Sequence, residues 1–428
     1  MKYYFFILGC QMNTADAERI AALLDSFGFD QTKKEKEADI IITLACSVRQ
    51  KPIDRIYGKI NKWNKEKKKR KILTILTGCL LTQDKKKLKN KFDIIFHIEN
   101  LSKLPHLIKP FLLSRFNIPA PKIDYLDFPI KPISKATAYI PIMTGCNNHC
   151  TYCVVPFTRG PERSRKKENI IKEIKYRLKK GAKDIVLVGQ NVNSFNHKKG
   201  KVYTDNKPFI NLLKEVNKIK GDFWLHFISN HPKDMTPDLI RAITKIKKIP
   251  PYLHLPFQSG DNQILKKMNR HYTKEEYLKL VDFIKKTIPQ VAITTDIIVG
   301  FPGETKQAFQ NTVKVVKKSQ FDMAYISQYS ERSGTAAAKL KDNISKKEKK
   351  KREQRLTKLI EKSSLKNNKK LSGQKLKVLV SGQKGDYTFG RTNTWKVVKF
   401  KGKKNLIGKF VYVKITQAKP WKLEGKIK

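Results

Sequence analysis

The chain has 428 residues, 39% of them hydrophobic, and a formal charge of +54. This length and apolar share exclude a disordered chain and suggest two or three domains rather than one core. So basic a surface repels itself unless a polyanion lies near, which makes nucleic acid the obvious partner, although lysines scattered along the whole chain also follow from genome-wide compositional bias.

In chain order, residues 3–8 read as a strand, 15–27 as a helix, 39–44 as a strand and 53–63 as a helix. Residues 72–77 and 93–98 are further strands. This alternation predicts a parallel sheet with helices on its faces. The opening run MKYYFFILGC imitates a lipoprotein signal, but it is short for one and carries two tyrosines, so a buried strand fits it better. Each of Cys10, Cys46 and Cys79 follows a predicted strand directly, in FFILGC, IITLAC and LTILTGC. Loops at the carboxyl ends of neighbouring parallel strands lie close in space, so the three thiols should meet at one edge.

Residues 114–135 contain four prolines and read as a linker between a first domain, 1–113, and a second, 136–366. In the second, strands are expected at 139–143, 184–188, 224–228, 252–255, 292–299 and 324–329, mostly with helical spacing between them. About six such βα units predict a partial or complete α/β barrel. The charged segment 341–368 reads as a domain-bridging helix. Short alternating strands with glycine turns from Lys375 read as a small antiparallel barrel, within a third domain set at 367–428.

No apolar stretch reaches the roughly 20 residues a membrane span needs, and the expected location is the cytoplasm. Thiols stay reduced there, so clustered cysteines point to metal or catalysis rather than disulfides. Cys146, Cys150 and Cys153, in GCNNHCTYC, are spaced C-x₃-C-x₂-C. Three thiolates on one loop can hold three irons of a [4Fe–4S] cube and leave the fourth open to a small molecule. Zinc competes, with His149 as a fourth ligand, but the position of His149 inside the loop makes simultaneous ligation awkward.

This loop, with an aromatic before its third Cys, resembles the radical-SAM superfamily. The longer string IMTGCNNHCTYCVVPFTRGPERSR is similar to the MiaB-type tRNA methylthiotransferases. So are GCQMN at Cys10, CSVR at Cys46, GC at Cys79, GQNVNSF at 189–195, NHPKDM at 230–235, the string at 255–273, DIIVGFPGET at 296–305 and YSERSGTAAA at 329–338. The resemblance runs nearly full length and in order, and the C-terminal barrel is similar to a TRAM domain. It implies an N-terminal α/β domain, a radical-SAM partial (β/α) barrel and a TRAM-like RNA-binding barrel.

Carried over residue by residue, Cys146, Cys150 and Cys153 would hold the cluster that cleaves S-adenosyl-L-methionine (SAM). Cys10, Cys46 and Cys79 would hold a second, auxiliary [4Fe–4S] cluster, with Gln11 and Asn13 shaping its loop. Tyr152 would lie against the SAM adenine, and Gln190 and Asn191 would line its pocket. Ser229, His231 and Gln258 are further candidates for that cavity, with ordinary loop capping as the competing role. Implied partners are tRNA and a reductant such as flavodoxin or ferredoxin, with no membrane.

The implied reaction is methylthiolation of adenine C2 in N6-(dimethylallyl)adenosine near the anticodon. Branches acting on threonylcarbamoyladenosine or on an aspartate of a ribosomal protein differ in GQNVNSF and CVVPFTRG. A reading of another class is a non-catalytic, zinc-bearing RNA-binding protein. In the tail, Tyr387, Phe389, Trp395 and Phe400 with Arg391 and interleaved lysines suit a platform for stacking bases, while the alternation in WKVVKF places some of these rings inside the barrel. Three positions depart from the family pattern: His149 where Phe is usual, Ala45 before Cys46 where Thr is usual, and His271 where Gly is common.

Overall fold

A computed structural model describes residues 1–47, 50–111, 123–196 and 206–427. Its N-terminal part is a five-stranded, wholly parallel sheet ordered β2-β1-β3-β4-β5. The strands are β1 (Lys2–Leu8), β2 (Asp30–Gln31), β3 (Ile40–Cys46), β4 (Leu73–Cys79) and β5 (Ile94–Ile95). Every residue of β3 and β4 is buried, which their unbroken apolar runs demand of central parallel strands. The run that imitates a leader is strand β1, and the expected strand over 93–98 shrinks to the edge pair Ile94–Ile95.

Residues 114–122 of the expected linker, and Val48–Arg49 of the CSVR string, lie outside the described residues. The described remainder of the linker, 123–135, is not loose. Tyr125, Leu126 and Phe128 are buried in the N-terminal core, and Leu126 O accepts from Nε and an Nη of Arg19 at 3.1 and 2.7 Å.

The middle of the chain holds β6 (Thr137–Pro141), β7 (Met143–Thr144), β8 (Arg163–Ser164), β9 (Asp184–Val188), β10 (Trp224–Phe227), β11 (Tyr252–His254), β12 (Ala292–Val299) and β13 (Met323–Gln328). Two parallel three-stranded sheets, β6-β9-β10 and β11-β12-β13, share one core with the surrounding helices and form a partial barrel. Helix Lys274–Thr287 shows how the sequence sets an element. A Thr273–Glu276 capping box starts it, and Tyr277, Val281 and Ile284 line its buried stripe. The free edge of β6 meets helix Gln11–Asp25, which begins directly after Cys10.

That contact is fixed by buried ion pairs. Glu18 meets Arg177 at 2.8 Å, Arg19 meets Glu173 at 2.9 Å, and Asp16 meets Arg159 at 2.5 Å. Helix Lys346–Lys369 does bridge: Leu356 and Ile360 join the barrel core, while Asn368 donates to Lys419 O and Pro420 O of the C-terminal part.

The C-terminal part is a closed barrel of β14 (Lys375–Lys384), β15 (Tyr387–Thr392), β16 (Val397–Lys401), β17 (Phe410–Ala418) and β18 (Leu423–Ile427), ordered β14-β15-β16-β18-β17. It is not purely antiparallel, as the alternation suggested, because β16 and β18 run parallel.

Candidate functional site

The first three thiols meet at the carboxyl edge of the N-terminal sheet. Cys46 and Cys79 end β3 and β4 and are direct register partners. Cys10 caps the helix Gln11–Asp25 after β1, and desolvation together with the neighbouring Cys79 pushes its thiol up. Asn13, one turn into that helix, organises the group. Its Oδ1 accepts from Cys10 Sγ at 3.8 Å and Cys79 Sγ at 3.9 Å, and its Nδ2 donates to Ala45 O at 3.0 Å. This shaping role is the one its sequence position implied. Only glycine fits at 78, where φ is +110° and a Cβ would come within 2.3 Å of Ala45 O.

Arg159 reaches this edge from the end of the short helix Val155–Arg159 that follows the second cysteine group. Its Nε donates to Cys79 Sγ at 2.9 Å and one Nη to the Tyr125 hydroxyl at 3.0 Å, while the other pairs with Asp16. The hydrogen bond with Cys46 and the Arg159 charge outweigh burial and bring the Cys79 thiol down to about 6.

The second thiol group sits on the loop between β7 and β8. Those strands pair antiparallel, Met143 with Ser164 and Thr144 with Arg163, and close the base of the loop. Cys146 N donates to Gly160 O and Cys153 N to Cys150 O, which folds the loop on itself. Residues 267–270 staple its outer side: Thr151 N donates to Met268 O, Asn269 Nδ2 to His149 O, and Arg270 Nη1 to Cys150 Sγ at 3.5 Å. Burial raises the thiols of Cys146 to about 11 and Cys153 to about 12, so occupation by a metal group must release protons. His149 is exposed, at a left-handed kink with φ +49°.

Among the described residues, no three His, Cys, Asp or Glu side chains converge tightly enough to hold one ion. Cysteines that ligate a cubane each bind a different iron and ring a larger group.

The polar candidates sit where expected, just beyond β9, β10 and β11. Asn193 Nδ2 donates to His231 O and His231 N to Asn193 Oδ1, both at 3.0 Å, which zips the first two loops together. Ser229 and Gln258 hold left-handed backbones, φ +69° and +66°, strain of a kind that concentrates at functional sites. Asn191 donates to Asp234 at 2.8 Å. The His231 ring lies 5.8 Å from Tyr272, whose hydroxyl accepts from Arg270, and burial with the Arg270 charge keeps His231 neutral.

Tyr152 packs against a small cluster that includes Met268 and Phe301. Gln190 Oε1, Asn191 Oδ1 and Asn230 Oδ1 are buried acceptors without a protein donor, and Glu162 Oε2 is likewise buried and unpartnered.

Arg159 and Glu162 lie in the string around the second cysteine group and Arg270 in that at 255–273, but the sequence reading gave neither these nor Asp16 a role. Their contacts with Cys79 and Cys150 mark these two arginines out among the buried ones.

The aromatic platform divides. Phe400 fills the C-terminal barrel. Trp395 is wedged against the central barrel, its ring 4.9 Å from Tyr252 and 5.0 Å from His226, whose Nε2 meets Asn393 O at 2.7 Å. Phe389 is half-buried. Tyr387 is open, with Lys399 3.6 Å above its ring, and Tyr412 and Trp421, which the sequence reading missed, are also exposed.

The fold around the Cys146 loop is that of radical-SAM enzymes, whose superfamily matches residues 140–316. A radical S-adenosylmethionine methyltransferase, TsrM, from Kitasatospora setae, shares the fold with a TM-score of 0.52 at 13% identity, over 79% of this chain and 77% of that one. Residues 2–98 match the Uncharacterized protein family UPF0004 and residues 369–428 the TRAM domain.

The tRNA-2-methylthio-N(6)-dimethylallyladenosine synthase of Fusobacterium nucleatum is 42% identical, covering 98% of both chains. Those of Thermoanaerobacter pseudethanolicus and Clostridium botulinum strain Langeland are 40% and 43% identical, over 99% and 98% of this chain and 92% and 96% of theirs. The chain belongs to the family of tRNA-2-methylthio-N(6)-dimethylallyladenosine synthases.

Proposed function

We infer that this protein is a radical-SAM transferase that places a methylthio group on C2 of N6-(dimethylallyl)adenosine in tRNA. The observation that carries this reading is the pair of cysteine trios, one at the edge of each α/β unit, with Arg159, six residues after Cys153, hydrogen-bonded to Cys79 of the first trio. Cys146, Cys150 and Cys153 would hold one [4Fe–4S] cluster, and Cys10, Cys46 and Cys79 the other. The bound clusters and SAM supply the radical and sulfur chemistry that no side-chain acid or base offers at an unactivated C–H bond.

The chain's own task is placement. The unpartnered acceptors of Gln190, Asn191 and Asn230 suit the amino and hydroxyl groups of SAM. His231, kept neutral, can accept a hydrogen bond there without adding charge. Buried ion pairs along helix Gln11–Asp25 hold the two trios at a fixed separation, which a transfer between two centres needs. We assign sulfur chemistry to 1–113, SAM chemistry to 136–366 and RNA grip to 367–428.

The C-terminal barrel offers Tyr387, Tyr412 and Trp421 among lysines for single-stranded RNA. No helix among the described residues is long and apolar enough to cross a membrane, and a cytosolic protein fed by flavodoxin or ferredoxin fits the reaction.

The test is anaerobic reconstitution followed by incubation with SAM, a reductant and tRNA bearing dimethylallyladenosine. A methylthio mass gain on that nucleoside is the expected result. A gain only on threonylcarbamoyladenosine or a ribosomal protein, or a colourless zinc protein, would replace this reading.

A further inference from the structure

The concave face of the partial barrel is closed on one half and open on the other. Along β6 and β9, Tyr139, Val186 and Val188 share a core with Met12, Ile20 and Leu24 of the N-terminal helix. Its floor is stopped by Trp395 between His226 and Tyr252. The other half is lined differently. Leu253 and Leu255, Ile293 and Ile297, and Ala324 and Ile326 pack outward under the helices. The period-two pleat therefore turns His254, Asp296 and Tyr325 to the concave side.

These three are neighbours. Asp296 and Tyr325 are register partners on β12 and β13. His254 Nε2 meets the Asp296 carboxylate at 3.3 Å and its Nδ1 meets Thr294 Oγ1 at 2.9 Å, while its ring lies 6.0 Å from that of Tyr325. Among the described residues β13 pairs only with β12, so Tyr325, 45% exposed, stands at the open lateral edge of the barrel.

Two connections tie this group to the reaction centre. Asp296 O accepts from Gln258 N at 2.9 Å, which sets the group one layer beneath the proposed SAM pocket. The loop after β13 carries Arg332, whose charge interacts with Cys46 and Asp84, so this edge also faces the auxiliary trio.

We propose that Tyr325, Asp296 and His254 form the seat of the target base. The exposed ring stacks on the purine, and the Asp296 carboxylate accepts the single N6–H that a dimethylallyl-substituted adenine keeps. His254 holds that carboxylate in place and is a positioning residue. An acceptor there also rejects a 6-oxopurine, which offers oxygen instead of N–H. This inference rests on the substrate reading given above.

The experiment uses reconstituted holoenzyme and two anticodon stem–loops, identical except for dimethylallyladenosine or inosine at the target position. Binding constants, and kcat and KM for the first, are measured for wild type, Asp296→Asn, Tyr325→Ala and Tyr325→Phe. Wild type should prefer the adenosine form about tenfold or more, and Asp296→Asn should narrow that preference to roughly threefold or less. Tyr325→Ala should raise KM about tenfold, and Tyr325→Phe should restore it, because the stacking face survives.

An unchanged preference in Asp296→Asn, or an unchanged KM in Tyr325→Ala, overturns the seat. If wild type methylthiolates the dimethylallyl stem–loop while the variants match it, the seat falls alone. If wild type yields no such product, the substrate reading falls and takes the seat with it.

Discussion

The Nε of Arg159 donates to Cys79 Sγ across 2.9 Å, although the two residues are 80 positions apart in the chain. The same guanidinium is held by Asp16 and by the Tyr125 hydroxyl, with both members of the ion pair almost wholly buried. Arg159 follows the Cys146 loop and Asp16 follows Cys10, so this side chain anchors the segment after the second thiol group onto the first. Arg270 repeats the arrangement on the other trio through Cys150.

Replacing Arg159 by Ala leaves the Asp16 carboxylate buried and unpaired, which should cost about 3–5 kcal/mol of stability in urea unfolding. The double variant Arg159→Ala, Asp16→Asn should cost less than the sum of the two single ones. Strict additivity would show that the pair is not coupled.

The trios should fail separately. Cys150→Ala should keep about half the iron, lose reductive SAM cleavage and bind tRNA with unchanged affinity, because phosphate contacts do not involve the cluster loop. Cys46→Ala should also lose about half the iron yet still cleave SAM, with no methylthio product. Iron analysis and quantitation of 5′-deoxyadenosine check both. Persistent methylthiolation in either variant would remove the site assignment.

Burial, with the Asp234 charge adding to it, lifts the Glu162 carboxyl to about 7 against a Ser194 hydrogen bond that opposes the shift. A raised folded-state value means that the native protein keeps a proton the unfolded chain gives up. The associated stability is present in full below the ordinary carboxyl range and is lost as pH rises through about 7. The melting temperature should fall across that window in wild type and fall less in Glu162→Gln. Equal slopes in the two proteins would contradict the buried, proton-holding environment.

Trp395 and Tyr387 lie eight residues apart on the C-terminal barrel and should behave oppositely. Trp395→Ala empties a half-buried contact with Tyr252 and should cost about 2 kcal/mol of stability. Tyr387→Ala should leave stability within about 0.5 kcal/mol and weaken tRNA binding several-fold. Calorimetry and a filter-binding titration separate the two effects.

Most of the elements were legible because their signals are local. β3 and β4 read as apolar runs ending in Cys, and the parallel pairing that such runs imply is enough to bring Cys46 and Cys79 side by side. The C-x₃-C-x₂-C spacing likewise needs only one loop. The short ribbon of β7 and β8, two residues each, gave no pattern to find. Its register depends on how the Cys146 loop closes.

What the sequence determined by itself is therefore the two cysteine trios, the strand ends at Cys46 and Cys79 and the order of parallel sheet, partial barrel and small barrel, since periodicity and spacing act over a few residues. Which arginines back those thiols, which half of the barrel stays open, and which tail aromatics face solvent were decided only by tertiary packing. Asp16 and Arg159 are 143 residues apart, and although Arg159 stands in a family string, nothing local shows that it pairs with Asp16 out of water. The difference lies in desolvation, which exists only once the chain has folded.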